Sequence, residues 1–328
     1  MEYLPWQTDP WQSLQQRRRA GRMPHALLLS GPAGIGKYAF AQALARSLLC
    51  QSPTEAGSAC GHCKACELLA AGSHPDWMSI VPEEEGKAIK VDQVRSLAEF
   101  TALHAHYSGY KVIILQPAEH MNHAAANSLL KTLEEPSADT LLLLVSAQPQ
   151  RLLATIRSRC QQLHFTAPAK GEALTWLRSQ IANADVEHLL EMASGAPLTA
   201  LKMADSGLDK VFDDSLKSIE SLSSRQGDPL RVASDWQKQD GMQTLHWFSG
   251  WVTDMIRLAS SPNPPHLDYG ALRQRLQALA KRLELNALHR FLEQLNEARR
   301  LLATSQVNPQ LLFEELLVRW SALPRRQA

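Results

Sequence analysis

Long apolar runs are missing. No run in the 328 residues approaches the ~20 that a membrane helix needs, and Leu141 to Val145 is typical of those present. A membrane-spanning helix is thereby excluded. The first nine residues do not read as a signal peptide, so the expected compartment is the cytoplasm. Excess charge of either sign is also missing: 34 Lys plus Arg against 33 Asp plus Glu leaves a net +1. That excludes a histone-like or polybasic-tail protein and confines any nucleic-acid contact to a local patch. Low-complexity tracts and internal repeats are absent, which excludes a repeat array. Aromatics make up only 6%, yet 45% of the residues are hydrophobic, enough for real cores and too much for wholesale disorder. Cysteines number five, and four crowd between Cys50 and Cys66. An odd count at tight spacing argues for a metal rather than disulfides. The length exceeds one ordinary domain of ~100–200 residues, so two or three domains are expected.

The first 165 or so residues alternate short apolar strands with helical patterns. Strands are expected over 25–30, 111–115 and 140–146, all nearly without polar alternation. Helices are expected over 36–50, with Phe40, Ala43, Leu44, Ser47 and Leu48 on one stripe, and over 91–105, with Val94, Leu97, Ala98 and Thr101. Another runs over 122–135 and stops at Pro136, which cannot continue the ladder. Apolar strands alternating with helices predict a parallel sheet covered on both faces. After Phe165 no convincing strand remains. Short helices are expected over 170–181 and 186–193, and Gly195-Ala196-Pro197 opens the next. Breaks fall at 206–207, 223–229 and 260–266. Leu288, Phe291, Leu292, Leu295 and Leu302 line a long helix, and Asn308 with Pro309 starts the last, which runs to about Trp320. The reading is a small helical middle domain followed by an all-helical bundle, whose core should take Trp236, Trp247, Trp251 and Trp320.

Gly31-Pro32-Ala33-Gly34-Ile35-Gly36-Lys37 lies between the first strand and its helix. In that context it matches a phosphate loop: glycines let backbone N–H groups cradle phosphates at a helix N-terminus, and the lysine reaches the outer oxygens. The next residue should be Ser or Thr, whose hydroxyl holds magnesium. It is Tyr38, whose phenol oxygen lies at the end of a flat ring and cannot stand beside the metal. An ATPase site also needs an acidic pair after another apolar strand. Here Val112 to Leu115 is followed by Gln116 and Pro117, neither of which is a carboxylate. Glu119 lies too far along to be assumed a substitute, so this strand end reads as a turn.

Cys50-x9-Cys60-x2-Cys63-x2-Cys66 supplies four soft ligands. Thiolates bind zinc tetrahedrally, and four protein ligands leave no open position for catalysis, so a zinc ion here is expected to be structural. Gly61 eases the knuckle, while His62 and His74 are alternative ligands that four sulfurs make unnecessary. Arg17, Arg18, Arg19 and Arg22 read as a solvated helix face, with DNA contact as the sharper alternative. His104, His106, His120 and His123 lack metal spacing. Cys160 reads as a packed core thiol.

Ala124 to Pro136 reads Ala-Ala-Ala-Asn-Ser-Leu-Leu-Lys-Thr-Leu-Glu-Glu-Pro, and Ser158-Arg159-Cys160 follows downstream. Together with the cysteines and the Val307-Asn308-Pro309 helix start, these segments resemble bacterial DNA polymerase III clamp-loader subunits of the AAA+ class. The resemblance covers the whole chain. It implies an AAA+ phosphate-loop core at 1–165 carrying an inserted zinc module at 50–66, a helical lid at 166–207 and a collar bundle at 208–328. In such proteins five subunits form an open ring that places a sliding clamp on primed DNA. The implied partners are gamma/tau-type ATPase subunits, the clamp-opening delta subunit, and through them the clamp and DNA at the replication fork. Leu198 stands where active relatives carry a second-sensor arginine. Tyr38, the Gln116–Pro117 pair and Leu198 remove three separate parts of one site, so no hydrolysis and no magnesium-dependent catalysis by this chain are expected. Gly31, Gly34, Gly36 and Lys37 leave passive ATP or ADP binding open. The DNA-directed DNA polymerase activity belongs to the assembly. Arg159 is implied to act as an arginine finger on a neighbour's ATP. Competing readings are an active clamp-loader ATPase and a zinc-dependent nucleic-acid-binding protein.

Overall fold

The computed structural model of the chain describes residues 3–325, with positions 85, 103, 108, 138, 183, 184, 305 and 306 set aside. The chain divides into two compact units, Met1–Glu172 and Ala173–Ala328. Among the described residues no helix is long and apolar enough to cross a membrane.

The first unit runs α1 (Thr8–Arg19), β1 (Ala26–Ser30), α2 (Lys37–Leu49), α3 (Lys64–Ala70), β2 (Trp77–Ile80), α4 (Val91–Ala102), β3 (Lys111–Leu115), α5 (His123–Glu134), β4 (Thr140–Ser146), α6 (Ala154–Arg159) and β5 (Gln161–His164). The strands form one sheet in the order β2-β3-β4-β1-β5, and every pair is parallel. β1, β3 and β4 are buried along their whole length. That explains their unbroken leucine, isoleucine and valine: helices cover both faces, so neither face needs polar residues. One face packs Leu28, Ile113, Leu142 and Leu144 against Leu97, Leu129, Leu133 and Ile156 of the flanking helices.

The strands expected over 111–115 and 140–146 have those bounds, and α5 begins after Asn122, whose side chain accepts from Ala125 N at 2.8 Å. α4 ends at Ala102 rather than Ala105, and Ala98 is exposed while Val94, Leu97 and Thr101 are buried. The two edge strands have no counterpart in the sequence reading. β5 is Gln161-Gln162-Leu163-His164, largely exposed, and carries no apolar run to betray it.

The second unit is helical, and among its described residues the one strand-like contact is a bridge between Leu283 and Arg325. After α7 (Lys170–Gln180), whose first residues precede the unit boundary, come α8 (Val186–Met192), α9 (Pro197–Ser206), α10 (Leu208–Ser223), α11 (Pro229–Trp236), α12 (Gly241–Ser260), α13 (Arg273–Ala280), α14 (Leu285–Thr304) and α15 (Pro309–Ser321). Helices α8 and α9 share this unit with the C-terminal helices, and Glu191 accepts from Ala271 N at 2.7 Å. An aromatic cluster forms the centre. Phe212 meets Trp247 and Trp251 edge-on at 5.1 Å, and Phe248 touches Trp236, Phe291 and Trp320. All four tryptophans expected in the bundle core are buried, and Trp320 Nε1 donates to Ile219 O at 3.1 Å. Asp254, fully buried, accepts from Asp268 N and Tyr269 N and pairs with Arg257 at 2.8 Å, which ties the loop after α12 back onto that helix.

Phe212 reaches four other rings, those of His188, Trp247, Trp251 and Tyr269, from the buried face of α10. Phe212→Ala is expected to destabilise the helical unit by about 3–5 kcal/mol. Urea titration followed by tryptophan fluorescence measures this, and an unchanged midpoint would remove Phe212 from the core.

Candidate functional site

The phosphate-loop sequence leaves β1 and enters α2. Gly31 has φ +141° and runs so close to β5 that a Cβ there would stand 2.1 Å from Phe165 O. Gly36, at φ +90°, is the N-cap of α2, and a Cβ would meet Leu4 Cδ1 at 2.2 Å. The glycines are therefore demanded by backbone conformation and close approach as much as by any ligand. No side chain caps the first turn of α2. Lys37 is 6% exposed, and its ammonium donates to Gly31 O at 2.7 Å and to Pro32 O. Burial pushes its pKa down to about 8, against the opposing pull of Glu119.

Two residues that the sequence did not single out hold this loop. Trp6 Nε1 donates to Ile35 O at 3.0 Å, and the buried Gln7 donates through Nε2 to Gly36 O at 3.0 Å. They sit in a three-residue turn, Pro5–Gln7, some 28 positions before their partners. No local pattern could have linked them.

At the end of β3 stand Gln116 and Pro117, and the first nearby carboxylate is Glu119. Its Oε1 accepts from Ala147 N at 2.9 Å and Gln148 N at 3.1 Å, which ties the β3 turn to the end of β4. Its Oε2 is buried and makes no hydrogen bond. Tyr38 is half-buried in the first turn of α2. Leu198, in the first turn of α9, belongs to the second unit and offers no guanidinium.

Cys50 caps the C-terminus of α2, Cys63 is the N-cap of α3, and Cys66 lies in the first turn of α3. Gly61 takes φ +84° between them, in a left-handed conformation that suits glycine. The four thiol sulfurs lie within 4.8 Å of one another, with Cys50 and Cys63 at 3.8 Å and Cys60 and Cys66 at 4.0 Å. A tetrahedral ion with Zn–S bonds of about 2.3 Å sets its sulfurs about 3.8 Å apart. Two backbone N–H groups point at the sulfurs: Cys60 N at Cys50 Sγ (3.2 Å) and Cys63 N at Cys60 Sγ (3.4 Å). The Ser52 hydroxyl donates to Cys60 Sγ and, with the backbone around His62, draws that thiol down to about 5, toward the form that binds metal. The cluster could hold a metal ion such as zinc. His62 is exposed and bonded to Cys60 O, and His74 is buried beside Tyr107; neither joins the four sulfurs.

The arginine run of α1 is engaged with this module. Arg18 Nη1 donates to Ser47 Oγ at 2.9 Å, and Arg19 Nη2 donates to Glu55 O at 2.6 Å. Ser47 is fully buried on α2 and donates to Gly57 O, and Gln15 Nε2 donates to it at 3.2 Å. Trp11 Nε1 adds a bond to Ala56 O. Helix α1 thus holds the loop that runs from Cys50 to Cys60, and two of the arginines are spent there.

Arg159 is the last residue of α6. Its Nη2 donates to Glu134 Oε1 at 2.6 Å and its Nη1 to Thr155 O at 3.2 Å, while the side chain stays 37% exposed. Arg157, two residues earlier, has a buried Nε that makes no hydrogen bond. Cys160 packs in the core, and burial alone lifts its thiol to about 12, which makes it a poor nucleophile.

Known proteins resemble this chain along nearly its full length. The family described as DNA polymerase III, delta subunit matches residues 6–169, and the one described as DNA polymerase III, delta subunit, C terminal matches residues 207–322. The DNA polymerase III subunit delta' of Pseudomonas aeruginosa is 40% identical over 98% of both chains. The subunit of that name from Escherichia coli is 34% identical over 97% of this chain and 95% of its own. Among solved structures, a gamma subunit-related protein of DNA polymerase III from Thermotoga maritima aligns over 94% of this chain and 98% of its own, at 16% identity and a TM-score of 0.49. With both segments matched and full-length relatives at such identity, the chain belongs to the DNA polymerase III delta and delta-prime subunit family.

Proposed function

We propose that this chain is the non-hydrolysing subunit of a DNA polymerase III clamp loader, a scaffold that gives Arg159 to the ATP site of a neighbouring subunit. The observation that carries this reading is a contrast. The chain's own loop lacks a magnesium hydroxyl at Tyr38 and a carboxylate pair at Gln116 and Pro117, and its lysine is bonded to its own carbonyls. Arg159, by contrast, is a well-oriented guanidinium at the surface. A fixed guanidinium stabilises charge on a phosphoryl group in transfer, and does so across a subunit boundary. A donor of this kind needs no hydrolysis cycle of its own.

On this reading the core spans 1–165, the lid 166–207 and the oligomerising collar 208–328. Gamma/tau-type ATPase subunits, the clamp-opening delta subunit, the sliding clamp and primed DNA are its direct or indirect partners, at the replication fork in the cytoplasm. Passive ATP or ADP binding at Gly31, Gly34, Gly36 and Lys37 would have to draw the lysine off Gly31 and Pro32. Zinc at Cys50, Cys60, Cys63 and Cys66 is structural, since four thiolates fill a tetrahedron and leave no position for water.

Two tests follow from this assignment. In a loader reconstituted with its ATPase subunits, clamp and primed DNA, Arg159→Ala is expected to slow hydrolysis by ~10-fold to 10³-fold without loss of folding or assembly. Arg159→Lys should not restore the rate, because an ammonium lacks the planar fork. Wild-type turnover with Arg159→Ala would refute the finger. For the metal, elemental analysis should find one zinc per chain, and Cys63→Ser should lose both zinc and the fold of the 50–66 segment. A purified chain that is folded and zinc-free would refute that assignment.

A further inference from the structure

Arg159 does not stand free at the end of α6. One guanidinium nitrogen is held by the Glu134 carboxylate at 2.6 Å and the other by the Thr155 carbonyl at 3.2 Å. Glu134 is the last residue of α5, immediately before the Glu135–Pro136 stop. The two helices that carry this pair share one core: Leu129 and Leu133 of α5 pack in the same cluster as Ile156 of α6. The carboxylate and the guanidinium are therefore mounted on parts that do not move independently. Both side chains remain exposed, Glu134 at 50% and Arg159 at 37%. An ion pair this exposed adds little to folding stability, so stability does not account for its presence. Its geometric effect is larger. A long arginine side chain has many rotamers, and two anchors at different nitrogens select one orientation of the planar fork. The guanidinium has five N–H donors, and these two bonds leave others for an incoming phosphate.

We infer that Glu134 is a positioning residue for Arg159. It sets the guanidinium in its working orientation before a neighbouring subunit's ATP arrives, and it keeps its own bond while the outer donors engage. This inference rests on the finger role proposed above. In that role a misplaced fork loses rate rather than affinity, because the finger acts on charge that develops during transfer.

The experiment uses the reconstituted loader with clamp and primed DNA, and compares ATPase kinetics for Glu134→Ala, Glu134→Gln, Arg159→Ala and the Glu134→Ala/Arg159→Ala double variant. Glu134→Ala is expected to lower kcat by ~3- to 10-fold with KM for ATP unchanged, a loss on the scale that imperfect placement produces. Glu134→Gln keeps an acceptor in the same place and should recover most of the rate. The double variant should be no slower than Arg159→Ala alone, because Glu134 acts only through the arginine. Glu135→Ala, one residue on, should behave as wild type, and the melting temperature of Glu134→Ala should not move. Unchanged or faster turnover with Glu134→Ala would overturn the inference, since the carboxylate would then be idle or a restraint. A further loss in the double variant would also overturn it, by showing that Glu134 acts through something other than Arg159. Wild-type turnover with Arg159→Ala sinks the finger itself, an outcome recognisable apart from these.

Discussion

Three strands without a polar face, β1, β3 and β4, oblige everything around them in the first unit. Buried on both sides, they can be parallel only if helices cross over them, and their helices in turn find an apolar surface to cover. The same arrangement brings three chemically interesting segments to the carboxyl ends of the strands: the phosphate loop after β1, the Gln116–Glu119 turn after β3, and Ala147–Gln148 after β4. That edge is where open parallel sheets bind ligands. In this chain it is closed inward. Lys37 bonds its own loop, Glu119 bonds the β4 turn, and the Pro5–Gln7 segment bonds the loop's carbonyls. The polar groups at this edge are thus engaged in internal ties that hold the loop, the β3 turn and the end of β4 together.

The cysteine cluster depends on the same logic at a smaller scale. Cys50 follows α2, Cys63 and Cys66 stand at the start of α3, and Cys60 lies in the long loop between the helices, which has little of its own to fix it. Ser47 is the joint. Buried on α2 behind the loop, it links Gly57, Gln15 and Arg18, so that α1, α2 and the loop meet at one hydroxyl. Gly57, at φ +83°, approaches so closely that a Cβ would stand 2.4 Å from the Gln15 side chain. The thiols are thus brought near tetrahedral spacing by hydrogen bonds that lie outside the cysteine motif.

Arg159 illustrates how an exposed group acquires a definite direction. Its helix is only six residues long, yet Ile156 and Cys160 on either side of it are buried in the core. The backbone is therefore rigid up to the arginine, and Glu134 extends that order to the guanidinium. The second unit meets a comparable demand with aromatic rings: Phe212 and Phe248 join six other large side chains from α10 to α15 into one interior.

The strands of the sheet centre could be read from the sequence because burial on both faces leaves an uninterrupted apolar signature. So could the helix stops at Pro136, the Asn308–Pro309 start and the four-cysteine spacing, since each depends on neighbours a few residues apart. That Tyr38 is neither serine nor threonine, and that Gln116 and Pro117 are not carboxylates, was equally plain, being a question of residue type. Tertiary structure alone decided the rest. The edge strands β2 and β5 are exposed on one side and carry no pattern of their own. The bonds of Arg18 to Ser47 and of Arg19 to the cysteine loop, the seating of Trp6 and Gln7 on the phosphate loop and the pairing of Glu134 with Arg159 join residues 25 to 36 positions apart. Local patterning records what a residue's immediate neighbours require; it carries no information about which distant donor will find which acceptor once the sheet has closed.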